Sequence, residues 1–181
     1  MATQSNEIQL GSDCPPFQLK GVDSRLHSRE DYKDSKILIV AFTCNHCPYV
    51  KAYEDRINQL TEKFKTQSVS VVCINANDPL KYPDDSFENM VTHAQEKKFV
   101  FDYLHDATQA TAKAFNAACT PEFYLYDEKR KLRYHGRLDD NTNEPQKVKD
   151  RYLELAISSV LAGKNPEIAK TPALGCGIKW R

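Results

Sequence analysis

The chain has 181 residues, 40% of them hydrophobic, and its 25 Lys and Arg balance 25 Asp and Glu to a formal net charge of zero. That length suits one domain with a full core, spanning 1–181. The charge balance argues against a nucleic-acid partner, and no stretch is long and apolar enough to cross a bilayer.

The opening, MATQSNEIQLGSDCPPFQL, has no basic segment followed by an apolar run. No secretory signal is therefore expected, and the cytoplasm is the default compartment. Residues up to about 35 read as an N-terminal extension. KILIVAF, residues 36–42, is a short run rich in β-branched residues and predicts a buried strand. Directly after it stands FTCNHCPYV, residues 42–50, with two cysteines two residues apart and a proline behind them. Val50, Tyr53, Ile57, Leu60 and Phe64 then recur at spacings of three and four, one face of a helix. VSVVCI, residues 69–74, predicts a second buried strand, so the unit is β-α-β with parallel strands.

A second helix is expected near Asp85, capped by Asp85 with Glu88 three residues on, and Phe87, Met90, Val91 and Ala94 form its stripe. KFVFDYL predicts a strand. Asp106 and Gln109 offer another capping box before an alanine-rich helix to about Ala117. EFYLYD and LRYHGRL flank EKRK as an antiparallel hairpin. A last helix is predicted from about Gln146 to Ala162, and a Pro-containing tail from about 164 ends in GCGIKWR. The order of elements gives an α/β sandwich around a mixed sheet.

The cysteine pair carries the chemistry. Cys44 is expected where the helix begins, facing unpaired backbone N–H groups and the positive end of the helix dipole. Both lower a thiol pKa, and the thiolate is the nucleophile. Cys47, within one helical turn, is placed to attack a mixed disulfide at Cys44 and release the partner. His46 adds a titratable cation beside the pair, and Pro48 fits the first helical turn, where its missing N–H costs little. Zinc is the alternative for CNHC. A structural zinc site ordinarily draws on a second ligand pair, however, and Cys14, Cys73, Cys119 and Cys176 stand alone. The expectation is redox chemistry with no bound metal and no cofactor.

These pieces resemble a known superfamily. Strand, CxxC and helix, followed at a distance by CTPEFYLYD, resemble the thioredoxin fold, in which the proline matching Pro121 is cis and faces the CxxC. The resemblance implies that Thr120 keeps its backbone free to pair with a bound partner. GSDCPPFQLKGVD, TCNHCPYV, TPEFYLYD, YHGR and GCGIKW together are similar to bacterial peroxiredoxin-like proteins of the AhpC/TSA, or redoxin, group, across nearly the whole chain. Peroxiredoxins place a Pro, three residues, a Thr, two residues and then the peroxidatic Cys before a Pro. Cys47–Pro48 fits the end of that pattern, but Cys44 stands at the Thr position and Val40 at the leading Pro. A His directly before the second cysteine resembles the oxidising DsbA-type motif.

The resemblance implies a thiol-disulfide oxidoreductase with Cys44 as nucleophile and Cys47 as resolving thiol. Its partners would be protein or small-molecule thiols and disulfides, with a thioredoxin- or glutathione-type reductant. A thiol peroxidase using Cys47, with Cys44 or Cys176 resolving, is the runner-up, and a zinc-bound or redox-inactive binding module is a third reading. Among the other candidates, Cys73 is expected to pack as a small core residue, and Cys119, which the fold puts near the active site, is either a third thiol or, as the preferred reading, a small packed residue. Cys14 reads as incidental. Cys176, between glycines, either packs the tail or resolves an oxidised cysteine. Arg137 is a candidate to hold a thiolate or peroxide. His27, His93, His105 and His135 share no spacing that suggests a site.

Overall fold

The computed structural model describes residues 2–181. The first strand of the β-α-β unit, β4 (Ile37–Thr43), is buried along its whole length. It lies parallel to β5 (Val69–Asn75), which lies parallel to β6 (Asp102–His105). On the other side β4 pairs antiparallel with β8 (Glu122–Tyr126), and β8 with β9 (Leu132–Gly136). Two short strands, β2 (Gln18–Gly21) and β3 (Leu26–Ser28), complete a seven-stranded mixed sheet ordered β3-β2-β6-β5-β4-β8-β9. The expected parallel crossover and hairpin are both present.

Because side chains alternate along a strand, β4 feeds two cores. Ile37, Ile39 and Ala41 pack under α1 (Pro48–Phe64), α2 (Phe87–Glu96) and α4 (Tyr152–Leu161). Leu38, Val40 and Phe42 pack under the other layer, where the short α3 (Ala110–Ala114) and Phe115 are joined by Phe17, Tyr32 and Ile178. The N-terminal stretch and the tail therefore cover one face of the central sheet. They also build a second sheet, in which β10 (Leu174–Gly177) lies between β1 (Ala2–Gln4) and β7 (Cys119–Thr120).

Three boundaries differ from the sequence expectations. The second helix is capped by Ser86, whose hydroxyl accepts from Asn89 N at 3.3 Å, and Asp85 is drawn into the interior instead. The third is only five residues long, because Gln109 takes a left-handed φ of 63° and Asn116 another of 53°. Gln109 spends its side-chain amide on the Ala76 and Lys179 carbonyls rather than on a cap. The last helix begins at Tyr152, not near Gln146. The backbone ahead of it is tied to the strand exit, with Lys149 N on the Asp140 carboxylate, Asp140 N on the Asp150 carbonyl and Leu153 N on the Leu138 carbonyl. Those bonds leave residues 148–151 no helical ladder.

Candidate active site

The site forms where β4 ends and α1 begins. α1 starts later than the sequence suggests: Pro48 occupies its first turn and Cys47, not Cys44, is the N-cap. The positive end of the helix therefore lies at Cys47. Both cysteines are buried, Cys44 with 2% and Cys47 with 0% of its surface exposed. Opposite them the Thr120–Pro121 bond is cis, as expected from the resemblance. Thr120 meets both sulfurs: its hydroxyl is 3.3 Å from Cys44 Sγ, and its carbonyl accepts from Cys47 Sγ at 3.2 Å.

The two thiols pack together, and their acidities are driven apart. Cys47 is lowered, first because the Cys44 thiol donates to it, then through the Cys176 thiol and the Val50 and Cys176 backbone N–H groups, against the cost of burial. Cys44 is raised well above the ordinary thiol range by that same bond, by burial and by the negative charge of Asp85. Cys47 is thus the more acidic of the two, whereas the sequence expectation places the lowered pKa on Cys44. The contacts of Thr120 match the other arrangement, in which its hydroxyl donates to a Cys44 thiolate and its carbonyl accepts the Cys47 proton.

His46 is engaged by a buried acid. Its Nδ1 lies 2.5 Å from Asp85 Oδ2, and its ring stacks on Tyr82 with centroids 4.6 Å apart. Asp85 is fully buried and also accepts from Asn45 N, Asn75 Nδ2 and Asn77 Nδ2. Cys44, His46 and Asp85 bring three metal-ligating atoms within 4.8 Å of one another. Four hydrogen bonds already occupy the Asp85 oxygens, however, so a cation there would have to break the His46 contact.

Behind the cis bond sits a second acid that the sequence did not single out. Glu122, fully buried, accepts from Ala118 N, Cys119 N, the Tyr124 hydroxyl and His135 Nε2 at 2.7–3.1 Å, and so fixes the turn that carries Thr120. Cys119 turns its thiol to Glu122 at 3.8 Å; burial, with that carboxylate's charge, raises its pKa far above the ordinary range. Cys73 is a core residue, as expected. Cys14 is buried in the opposite core. Arg137 is not brought to the pair: its guanidinium donates to the Pro172 carbonyl in the tail and makes no hydrogen bond to either sulfur. Cys176, by contrast, packs against Cys44, Cys47 and Val50. The Thr120 backbone is not free for a partner, because Cys176 of β10 is its antiparallel neighbour.

Residues 10–135 match the model of the AhpC/TSA family. The chain is 40% identical to an uncharacterized conserved protein from Geobacillus kaustophilus, whose crystal structure superposes with a TM-score of 0.95 over 100% of this chain and 97% of that one. It is 21% identical, over 72% of its length and 71% of the relative's, to the thiol-disulfide oxidoreductase ResA of Geobacillus thermodenitrificans (strain NG80-2). A putative thiol:disulfide interchange protein DsbE from Chlorobium tepidum, 16% identical, shares the thioredoxin-like fold with a TM-score of 0.66 over 87% of this chain and 98% of that one. No helix among the described residues is long and apolar enough to cross a membrane.

Proposed function

We propose, for a chain that belongs to the AhpC/TSA family of redox enzymes, that Cys44 and Cys47 interconvert between dithiol and disulfide to exchange electrons with thiol and disulfide partners. The observation that carries this reading is that both buried sulfurs meet Thr120, Cys44 Sγ 3.3 Å from its hydroxyl and Cys47 Sγ donating to its carbonyl at 3.2 Å. In these contacts Cys47 carries a proton, which it donates to the Thr120 carbonyl. Loss of the Cys44 proton yields a Cys44 thiolate steadied by the Thr120 hydroxyl, while the Thr120 carbonyl accepts the Cys47 proton. The Cys44 thiolate attacks one sulfur of a substrate disulfide and expels the other as a thiolate. Cys47 then attacks Cys44 Sγ, forms the Cys44–Cys47 bond and releases the second substrate thiol. A dithiol of the thioredoxin type or glutathione restores the pair. His46 and Asp85 hold the turn between the cysteines, and Pro48 fixes the helix start. The cytoplasm suits a centre that must be reduced again after each turnover.

A thiol-peroxidase reading is favoured by the lowering of the Cys47 pKa by its hydrogen-bonding neighbours. A Cys47 sulfenic acid would be closed by Cys44. Against it, Cys44 fills the position of the peroxide-orienting hydroxyl, and Arg137 is turned to the tail.

The test is disulfide reduction and peroxide consumption measured side by side on wild type, Cys44→Ser and Cys47→Ser. Disulfide exchange predicts that both variants lose disulfide reduction and that Cys47→Ser accumulates mixed disulfides at Cys44. Fast peroxide turnover that survives Cys44→Ser and disappears in Cys47→Ser would replace the first reading by the second.

A further inference from the structure

The tail places a strand where the thioredoxin-like architecture would leave an edge for a partner. β10 runs antiparallel to β7, with Cys176 opposite Thr120 and Gly177 opposite Cys119. This pairing is built in. Gly175 approaches the Thr120 carbonyl so closely that a Cβ there would overlap it. Ile178 N bonds the Ala118 carbonyl, and Ile178 is buried among the residues of the second core. Beyond it, Lys179 N bonds Asn77 Oδ1 at 2.8 Å, the Lys179 carbonyl accepts from Asp78 N and Gln109 Nε2, and Arg181 N bonds Gln109 Oε1 at 3.0 Å. The bonds on both sides of Cys176 hold its thiol against the cysteine pair.

Exposure follows the same order. Cys44 and Cys47 are buried, while Cys176, packed against them, is half-buried. A thiol approaching from solvent cannot reach Cys47 directly. It can reach the sulfur that already touches Cys47.

We infer that β10 is a substrate-like strand carried in cis, and that Cys176 is a relay thiol that moves the disulfide from the buried Cys44–Cys47 pair to the surface for reduction by an external dithiol. This rests on the proposed dithiol chemistry of the pair. The first step is redox-neutral. The Cys176 thiolate attacks Cys47 Sγ of the Cys44–Cys47 disulfide, the Cys47–Cys176 bond forms, the Cys44–Cys47 bond breaks, and Cys44 leaves as a thiolate that takes up the proton Cys176 lost. An external dithiol then attacks Cys176 Sγ and expels Cys47 as a thiolate. The second thiol of the dithiol closes on the first, releases Cys176 as a thiol and carries away the two-electron oxidation as its own disulfide. A polypeptide disulfide, by contrast, finds the Thr120 edge occupied, so the partner that fits is a dithiol meeting the tail.

Two experiments test the relay. In the first, Cys44→Ser, with Cys44→Ala as a second variant, is equilibrated with oxidised and reduced glutathione, and its disulfides are mapped by peptide mass. A Cys47–Cys176 disulfide is expected. Free thiols or glutathione adducts at Cys47 with no Cys47–Cys176 link would overturn the inference. In the second, oxidised wild type and oxidised Cys176→Ser are reduced with dithiothreitol. Cys176→Ser is expected to be reduced more slowly by about tenfold, since only the edge of Cys44 is left for attack; equal rates would overturn the relay. If wild type forms no Cys44–Cys47 disulfide in any redox buffer, the dithiol reading fails instead, and the mapping on Cys44→Ser still reports whether the tail thiol reaches Cys47.

Discussion

The imidazole of His46 meets a carboxylate that has no contact with water: Asp85 is fully buried, and its Oδ2 lies 2.5 Å from Nδ1 of His46. Since a carboxylate only accepts, Nδ1 carries the proton in this contact. The same carboxylate holds Asn45 N, so Asp85 grips two successive residues of the turn between the cysteines. Asp85→Ala would leave three further buried donors without an acceptor. A loss of about 3 kcal/mol of stability is expected in urea unfolding. Asp85→Asn should cost less, because the amide oxygen still accepts. Both variants should also lower the pKa of Cys44, because the charge that raises it is gone. A Cys44 pKa unmoved in Asp85→Asn would mean that this carboxylate does not set the acidity of the pair.

Thiolate absorbance in the ultraviolet tests which sulfur bears the charge. Reduced wild type should show one thiolate already at neutral pH, because hydrogen bonds from Cys44, Cys176 and the α1 start lower Cys47. Cys47→Ser should remove that signal. Cys44→Ser should keep a thiolate but move its titration toward the ordinary range, since the Cys44 thiol is the largest cause of the lowering. The sign for stability follows. A group whose folded pKa is lowered stabilises the fold above its ordinary pKa, and that stability is lost as pH falls through the folded value. The reduced fold of wild type should therefore lose more stability on acidification than that of Cys47→Ser. A neutral-pH thiolate that persists in Cys47→Ser would move the charge back to Cys44.

The β-α-β unit was readable because β4 and β5 are unbroken apolar runs and α1 repeats its apolar residues at helical spacing. CxxC and Thr-Pro are local signals that brought Cys44, Cys47, Thr120 and Pro121 to one place. What escaped depends on distant pairing. Asp85 looked like a helix cap because its neighbour Ser86, which does the capping, is also a capping type. Its true partners are Asn45, Asn75 and Asn77, and no local pattern marks an acid as buried. Glu122 and His135 sit on adjacent strands, and their 2.7 Å contact exists only once the hairpin register is set. The glycines on either side of Cys176 name no partner in the sequence, whereas at Gly175 the missing side chain permits close approach to Thr120.

Gly175→Ala is accordingly expected to break the β10–β7 pairing. The added methyl would collide with a main-chain carbonyl, which cannot swing aside as a side chain can. A loss of about 2–4 kcal/mol is expected, with earlier proteolytic clipping after Leu174. A variant with wild-type melting and an uncut tail would show that β10 is not locked against Thr120.

Alkaline pH should weaken the fold through Cys14. This thiol is 1% exposed, and burial pushes its pKa up from 9.0 to about 12 despite the nearby charges of Arg29 and Arg130. A thiol with a raised folded pKa prefers the protonated form in the fold and ionises first in the unfolded chain. The stability it contributes is fully present below the ordinary value and is lost as pH climbs toward the folded one. That gap corresponds to an upper limit of about 4 kcal/mol by pH 12. Tyr53, also pushed up to about 12 by burial, adds to the same decline, so absolute stability alone does not isolate the thiol. The difference between wild type and Cys14→Ala does. At pH 8 the alanine variant should be the less stable, having lost a buried sulfur's packing. Between pH 9 and 12 the difference should shrink, because only wild type carries the thiol that ionises on unfolding. Urea midpoints at half-unit pH steps would show this, and parallel curves for the two proteins would mean that Cys14 keeps an ordinary acidity in the fold.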